Sequence, residues 1–183
     1  KILITNDDGI FSDGIFALWQ AMSQIGETYV VAPRTEKSAS SHSITLHEPL
    51  RIESVKRASG FEGWSINGTP ADCAKIAIQS IMNDRPDLLI SGINRGSNLG
   101  NNIIYSGTVS AATEGAILGI PSIAISLASF KTDKYDVAKS VSIDLSNYIL
   151  RNGLPDGTLL NVNIPYCDEI NIRGKKITSQ GNQ

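Results

Sequence analysis

The sequence is poor in the residues on which several common chemistries depend. It has only two cysteines and two histidines in 183 residues. Cys73 and Cys167 are far apart and form no CxxC, which excludes a disulfide framework and a zinc ribbon; both read as buried, reduced small hydrophobes. His42 and His47 are five residues apart. That is off the HExxH spacing, and no third histidine exists to complete a zinc triad. Both read as polar loop residues, with His42 close enough in sequence to Ser38 to reach a site built around it. There is no GxxxxGK[ST] loop and no nucleophile elbow, so neither a P-loop nor a serine or cysteine hydrolase is expected. The most apolar stretch, residues 115–128, is broken by Gly119, Pro121 and Ser122, too soon for a membrane span. No basic run exceeds Lys175-Lys176, and the formal charge is −2. A chain so balanced is not an electrostatic binder of duplex nucleic acid or of a membrane surface, although a small acidic substrate stays open. Lys1-Ile-Leu-Ile-Thr5 leads straight into folded sequence with no room for a signal peptide, so a cytoplasmic location is expected.

Hydrophobic residues make up 41 % of the chain and charged residues 19 %, the balance of a globular domain rather than a disordered chain. Short apolar runs alternate with helical spacing, the rhythm of parallel strands joined by crossover helices. Ile2–Ile4, 29–32, 88–90, 123–127 and 159–164 read as strands. Ile15, Leu18, Trp19, Met22 and Ile25 form one helix face, with Gly26 as its stop. Residues 33–43 read as a loop and 44–66 as short extended pieces or a hairpin. Thr69-Pro70-Ala71-Asp72 opens a helix, with Thr69 as N-cap, Pro70 in the first turn and Asp72 complementing the dipole. Ala74, Ala77, Ile78, Ile81 and Met82 make its buried stripe. A third helix spans 109–118 and a fourth is marked by Ala138, Val141, Leu145, Tyr148 and Ile149. No linker or repeat divides the chain. A single α/β domain over residues 1–183 is expected, a doubly wound and mostly parallel sheet.

Open parallel sheets bind ligands at the carboxyl ends of their strands, so the segments following each strand carry the functional reading. They are Asn6-Asp7-Asp8-Gly9, Pro33–Ser38 and Ser91–Asn98, all rich in oxygen donors and expected to converge. Two adjacent carboxylates after a doubly buried strand repel each other unless a cation or shared proton intervenes. Such a pair suits a hard divalent cation better than a plain turn. Ser38 and Asn94 add neutral oxygens. Tyr105-Ser106-Gly107-Thr108 precedes a helix, where free N–H groups and the dipole favour an anion and Gly107 permits close approach of a phosphate. Taken alone, Ser106 or Thr108 would read as a simple cap; beside paired carboxylates at the same end of one sheet, the segment points to metal-assisted phosphoryl chemistry. Arg34, Lys37 and Arg95 read equally well as phosphate contacts and as solvated surface charges.

With these residues in view, the chain resembles the SurE family, stationary-phase survival protein E. The matching blocks are Ile-Leu-Ile-Thr-Asn-Asp-Asp-Gly-Ile (2–10), Val-Val-Ala-Pro (30–33), Lys-Ser-Ala-Ser (37–40), His-Ser-Ile-Thr (42–45) and Gly-Thr-Pro-Ala-Asp-Cys (68–73). Ser-Gly-Ile-Asn-Arg-Gly-Ser-Asn-Leu-Gly (91–100) and Tyr-Ser-Gly-Thr-Val-Ser-Ala-Ala-Thr-Glu-Gly (105–115) complete the set. The resemblance implies a Rossmann-like fold with helices on both faces, assembly as a homodimer or homotetramer, and a divalent-metal-dependent phosphatase acting on nucleoside 5′-monophosphates, with 3′-nucleotides and polyphosphate as further substrates. It implies one ion, Mg²⁺ or Mn²⁺, held by Asp7, Asp8, Ser38 and Asn94, and a phosphate facing Ser106, Gly107 and Thr108. Asp7 is the candidate catalytic carboxylate, taking a proton from the attacking water. Ser41 stands where many relatives have glycine. A β-rich C-terminal extension, beginning near residue 165 and incomplete here, is also implied. Two other chemistries use acids after a first strand. A receiver-type phosphoacceptor switch needs a further Asp where Ser91-Gly92 stands, and an aspartyl-phosphate phosphatase of the haloacid-dehalogenase type needs Asp-x-Asp rather than Asp7-Asp8. Specificity is expected in loops 44–66 and 128–135.

Overall fold

The computed structural model describes residues 1–130 and 134–181. Seven strands form one sheet: β1 (Ile2–Thr5), β2 (Thr28–Pro33), β3 (Ile52–Lys56), β4 (Glu62–Ile66), β5 (Leu88–Arg95), β6 (Ser122–Leu127) and β7 (Leu159–Ile164). They lie in the order β3-β4-β2-β1-β5-β6-β7. Every pairing is parallel except that of β3 with β4. The helices are α1 (Asp13–Met22), α2 (Pro70–Ile76), α3 (Asn102–Tyr105), α4 (Gly107–Ile117) and α5 (Asp136–Asn152). The α/β reading holds, and 44–66 does contain a hairpin.

The sheet is buried on both faces because its strands are apolar at successive positions. Ile2, Ile4, Ile90, Ile123 and Ile125 pack with α1 and α5 residues such as Leu18, Met22, Ala138 and Ile149. Leu3, Val31, Leu89 and Ala124 face the opposite way, onto Cys73, Ala74, Ala77, Val109 and Ala112 of α2, the turn after it, and α4. Both cysteines are free, Cys73 buried and Cys167 partly so. The α2 stripe continues through a single wider turn at Ala77–Ile81, with Ile78 and Ile81 only partly buried.

Three expectations need correction. Tyr148 is exposed, and the α5 face is completed instead by Ser142 and Ser146. Their hydroxyls are satisfied internally, Ser142 donating to the Ala138 carbonyl and Ser146 to Met22 Sδ. The stretch between β5 and α4, Gly/Asn-rich and a loop by composition, ends in the short helix α3. Ser91-Gly92-Ile93-Asn94 is not a loop either: β5 runs on to Arg95, resuming its pairing with β6 at Asn94↔Ser126 and Arg95↔Leu127 after an irregularity. Gly92 is required there, because a Cβ would lie 2.5 Å from the Ile125 carbonyl oxygen. Past β7, residues 165–181 contain one 3₁₀ turn, Glu169–Asn171. The 128–135 loop includes residues 131–133, which lie outside the described residues. Among the described residues, no helix is long and apolar enough to cross a membrane.

Candidate active site

Strand order reverses between β1 and β5: β2 and β4 extend one way from β1, β5 to β7 the other. At such a switch point the loops diverge and leave a crevice beyond the strand ends. The β1–β5 register ends at Thr5↔Ser91. Three residues further along each chain stand Asp8 and Asn94, both beyond the last paired position of β1 with β5, and Arg95, next to Asn94, is near enough to act on Asp8. The tight turn after β1 is held by Asn6, which donates from Nδ2 to the Gly9 carbonyl at 3.1 Å and accepts the Gly9 N–H at 3.2 Å. With that turn fixed, Asp7 points inward and is buried, while Asp8 is half-buried.

The N-terminus of α4 abuts Asp7. Thr108 Oγ1 donates to Asp7 Oδ1 at 2.5 Å. A Cβ on Gly107 would fall 2.6 Å from the Asp7 Cβ and 2.9 Å from Oδ2, so only glycine lets the helix end approach this closely. Ser106 caps the helix, its Oγ accepting the Val109 N–H at 3.2 Å. The loop after β2 closes a third side, where the Lys37 N–H donates to the Asp7 carbonyl at 2.7 Å. This places Ser38 one residue from the Asp7 backbone, although its hydroxyl is exposed and donates to Glu36 Oε1 at 2.5 Å. Asn94 Nδ2 donates to the Gly96 carbonyl at 2.8 Å.

The electrostatics follow from this packing. Burial pushes the Asp7 carboxyl above its ordinary range, opposed by the Thr108 hydroxyl and N–H. Burial first, then the Asp7 charge beside it, lift Asp8 to about 6, with Arg95 pulling it down and Glu36 adding to the rise. Two partly desolvated acids that disfavour each other's ionisation are the environment that a divalent cation relieves. Among the described residues, no three His, Cys, Asp or Glu side chains form a metal-holding group. A donor set of one or two carboxylates with neutral oxygens is the kind that a hard ion accepts, with water completing its shell. Asp7 and Asp8 can supply the carboxylates, and Asn94 and Ser38 the neutral oxygens.

The other candidates divide. Arg95 is near enough to Asp8 to act on it. Arg34 turns away to pair with Glu53 at 2.9 Å. The Lys37 charge acts on Cys73 of α2. His47 is exposed. His42 pairs with Glu114 of α4 at 2.8 Å. Glu36 and Glu114 were not singled out from the sequence. Glu36 lies within the loop read for Ser38, and Glu114 sits in a helix where nothing local marks a buried acid.

The family model for survival protein SurE matches residues 2–183. The chain belongs to the SurE family. The 5′-nucleotidase SurE of Heliobacterium modesticaldum is 47 % identical over 184 residues, covering 100 % of this chain and 68 % of that protein. The 5′-nucleotidase SurE of Alkaliphilus metalliredigens is 50 % identical over 184 residues, covering 99 % of this chain and 72 % of that one. The crystal structure of the SurE protein from Aquifex aeolicus superposes with a TM-score of 0.90 at 44 % identity, over 99 % of this chain and 72 % of its own. The α/β fold is thus shared with a solved relative.

Proposed function

We propose that this SurE chain is a divalent-metal-dependent phosphomonoesterase that hydrolyses nucleoside 5′-monophosphates. The observation that carries the reading is the contact of Asp7 with Gly107 and Thr108. A helix N-terminus attracts anions, yet a phosphate brought to the end of α4 meets a buried carboxylate and a second beside it. A divalent cation held by these acids would lift the repulsion. Asp7, Asp8, Asn94 and Ser38 would hold Mg²⁺ or Mn²⁺; when bound, the ion lowers the pKa of a water and neutralises phosphoryl oxygens.

The chain's own groups do the rest. Ser106 caps α4 by accepting the Val109 N–H, and with the Thr108 N–H turned to Asp7 the Gly107 amide would face the phosphate. Thr108 fixes Asp7 through Oδ1, which orients the carboxylate to take a proton from the attacking water. A bond forms from that water oxygen to phosphorus, the ester P–O bond breaks, and the nucleoside hydroxyl is reprotonated from solvent. Adjacent acids, with Ser91 buried in β5 where a third acid would be needed, support hydrolysis over a receiver or aspartyl-phosphate chemistry. The same crevice would admit 3′-nucleotides and polyphosphate, and the relatives named above support 5′-nucleotides as the principal class. Phosphate release from 5′- and 3′-nucleotides and polyphosphate, in EDTA and then with Mn²⁺ or Mg²⁺ restored, tests this. Activity should vanish with EDTA, return with metal, favour 5′-monophosphates and be absent from Asp7→Asn; turnover insensitive to both would refute it.

A further inference from the structure

Among the described residues, Glu114 is the most deeply buried acid that the proposed chemistry leaves unused. Its side chain is 5 % exposed, and it receives His42 Nε2 at 2.8 Å and Lys75 Nζ at 3.2 Å. A carboxylate only accepts, so His42 donates. The three groups join separate parts of the fold: Glu114 is in α4, Lys75 in α2, and His42 in the loop that runs from β2 across both helices. Burying an acid at this depth is costly unless it is paired, so the arrangement holds both partners in place.

His42 is one of a row of ties on this loop. Lys37 N–H reaches the Asp7 carbonyl at 2.7 Å and Ser41 N–H the Tyr105 carbonyl at 3.2 Å. Ser43 accepts the Thr69 hydroxyl at 2.7 Å, and Thr45 Oγ1 donates to Asp72 at 2.6 Å. Between the first ties the backbone is strained: Ala39 and Ser41 sit at φ 55° and 51°, a left-handed conformation that a non-glycine residue keeps only when its surroundings impose it. Ser38 stands at the head of this strained stretch and Tyr105 immediately precedes the α4 entrance. Of the ties, His42–Glu114 is the one made to a buried side chain of the phosphate-facing helix.

We propose that the His42–Glu114 pair, braced by Lys75, is the latch that holds Ser38 at the metal site and locks the loop after β2 to helix α4. His42 and Glu114 are positioning residues, outside the set that would hold the ion and the phosphate. The inference rests on the phosphatase reading and adds to it the element that keeps the metal and phosphate sides in register.

The test is direct Mn²⁺ binding by electron paramagnetic resonance, with amide hydrogen exchange of residues 37–45, on the full chain and three variants. His42→Ala should raise the Mn²⁺ dissociation constant about 10-fold, the size of effect seen when outer-shell support of a ligand is lost, and should speed exchange across the loop. Glu114→Gln should do the same in lesser degree. His42→Gln, which keeps a donor, should restore binding to within about twofold of the parent on the same scale. A His42→Ala chain that binds Mn²⁺ like the parent overturns the proposal, and so does faster exchange without weaker binding, which would leave the pair a packing feature only. A parent chain that binds no Mn²⁺ overturns the phosphatase reading itself, and this inference with it, before any variant is compared.

Discussion

Removing Asp8 should stabilise the metal-free chain while abolishing what the site is for. The neutral form of Asp8 persists to about pH 6 in the folded chain, against an ordinary value of 3.8. The folded state therefore binds this proton more tightly than the unfolded chain does. The group's contribution to stability is whole below about pH 4, declines as pH rises through 6, and is gone above, because the ionised carboxylate is worse off folded than unfolded. The interval from 3.8 to 6 corresponds to about 3 kcal/mol. Asp8 is only half-buried, and solvent screening reduces the figure to about 1–2 kcal/mol. Asp8→Asn, which cannot ionise, should exceed the parent by that amount in urea unfolding at pH 7.5 in EDTA, and the gap should close as the pH falls towards 4. Adding Mn²⁺ should invert the order, since an ion at 100 times its dissociation constant stabilises the parent by about 2.7 kcal/mol and the variant hardly at all. A variant that is no more stable than the parent at pH 7.5 in EDTA would refute the claim that these acids are held against their electrostatic preference.

Two further substitutions probe the contact between Asp7 and α4. Thr108→Val removes the donor to Asp7; losing a hydrogen bond to a charged group costs about 1.5–3 kcal/mol, so nucleotide hydrolysis should fall about 10- to 100-fold, and a rate within twofold of the parent would show that Thr108 does not orient the carboxylate. Gly107→Ala puts a methyl 2.6 Å from the Asp7 Cβ and must displace one of them. Misplacement on the ångström scale costs on the order of 100-fold in rate, which steady-state phosphate release should show while the circular dichroism spectrum stays that of the parent.

Much of this was legible from residue order alone, and the exceptions share a cause. The strands at 2–4 and 123–127 announce themselves because burial on both faces demands unbroken apolar residues. Thr69 and Asp72 declare a helix start, and their reciprocal hydrogen bonds are present. Asp7 and Asp8 stand out because adjacent acids after such a strand have few plain structural explanations. The end of β5 was hidden, since Ser91-Gly92-Ile93-Asn94 has the composition of a loop and is a strand only through its pairing with β6. Tyr148 departs from the helical periodicity because a face two serines wide can be buried when each hydroxyl finds an internal acceptor, which hydrophobic periodicity does not register. Glu114 and His42 are separated by 72 residues, and no local pattern links them. Arg34 and Arg95 looked alike as charges near strand ends; the neighbour each one found, Glu53 or Asp8, separates them.

The hairpin at the sheet's margin has a consequence of its own. β3 ends the strand order and runs against β4, so among the described residues no strand covers its outer edge. That strand is largely exposed and presents Glu53 and Lys56, engaged with Arg34 at 2.9 Å and Glu62 at 2.6 Å. A foreign strand docking along it would have to strip water from these charges and break their pairings. This flank of the molecule is thereby guarded against edge-to-edge aggregation, and neutralising Glu53 and Lys56 together would expose it.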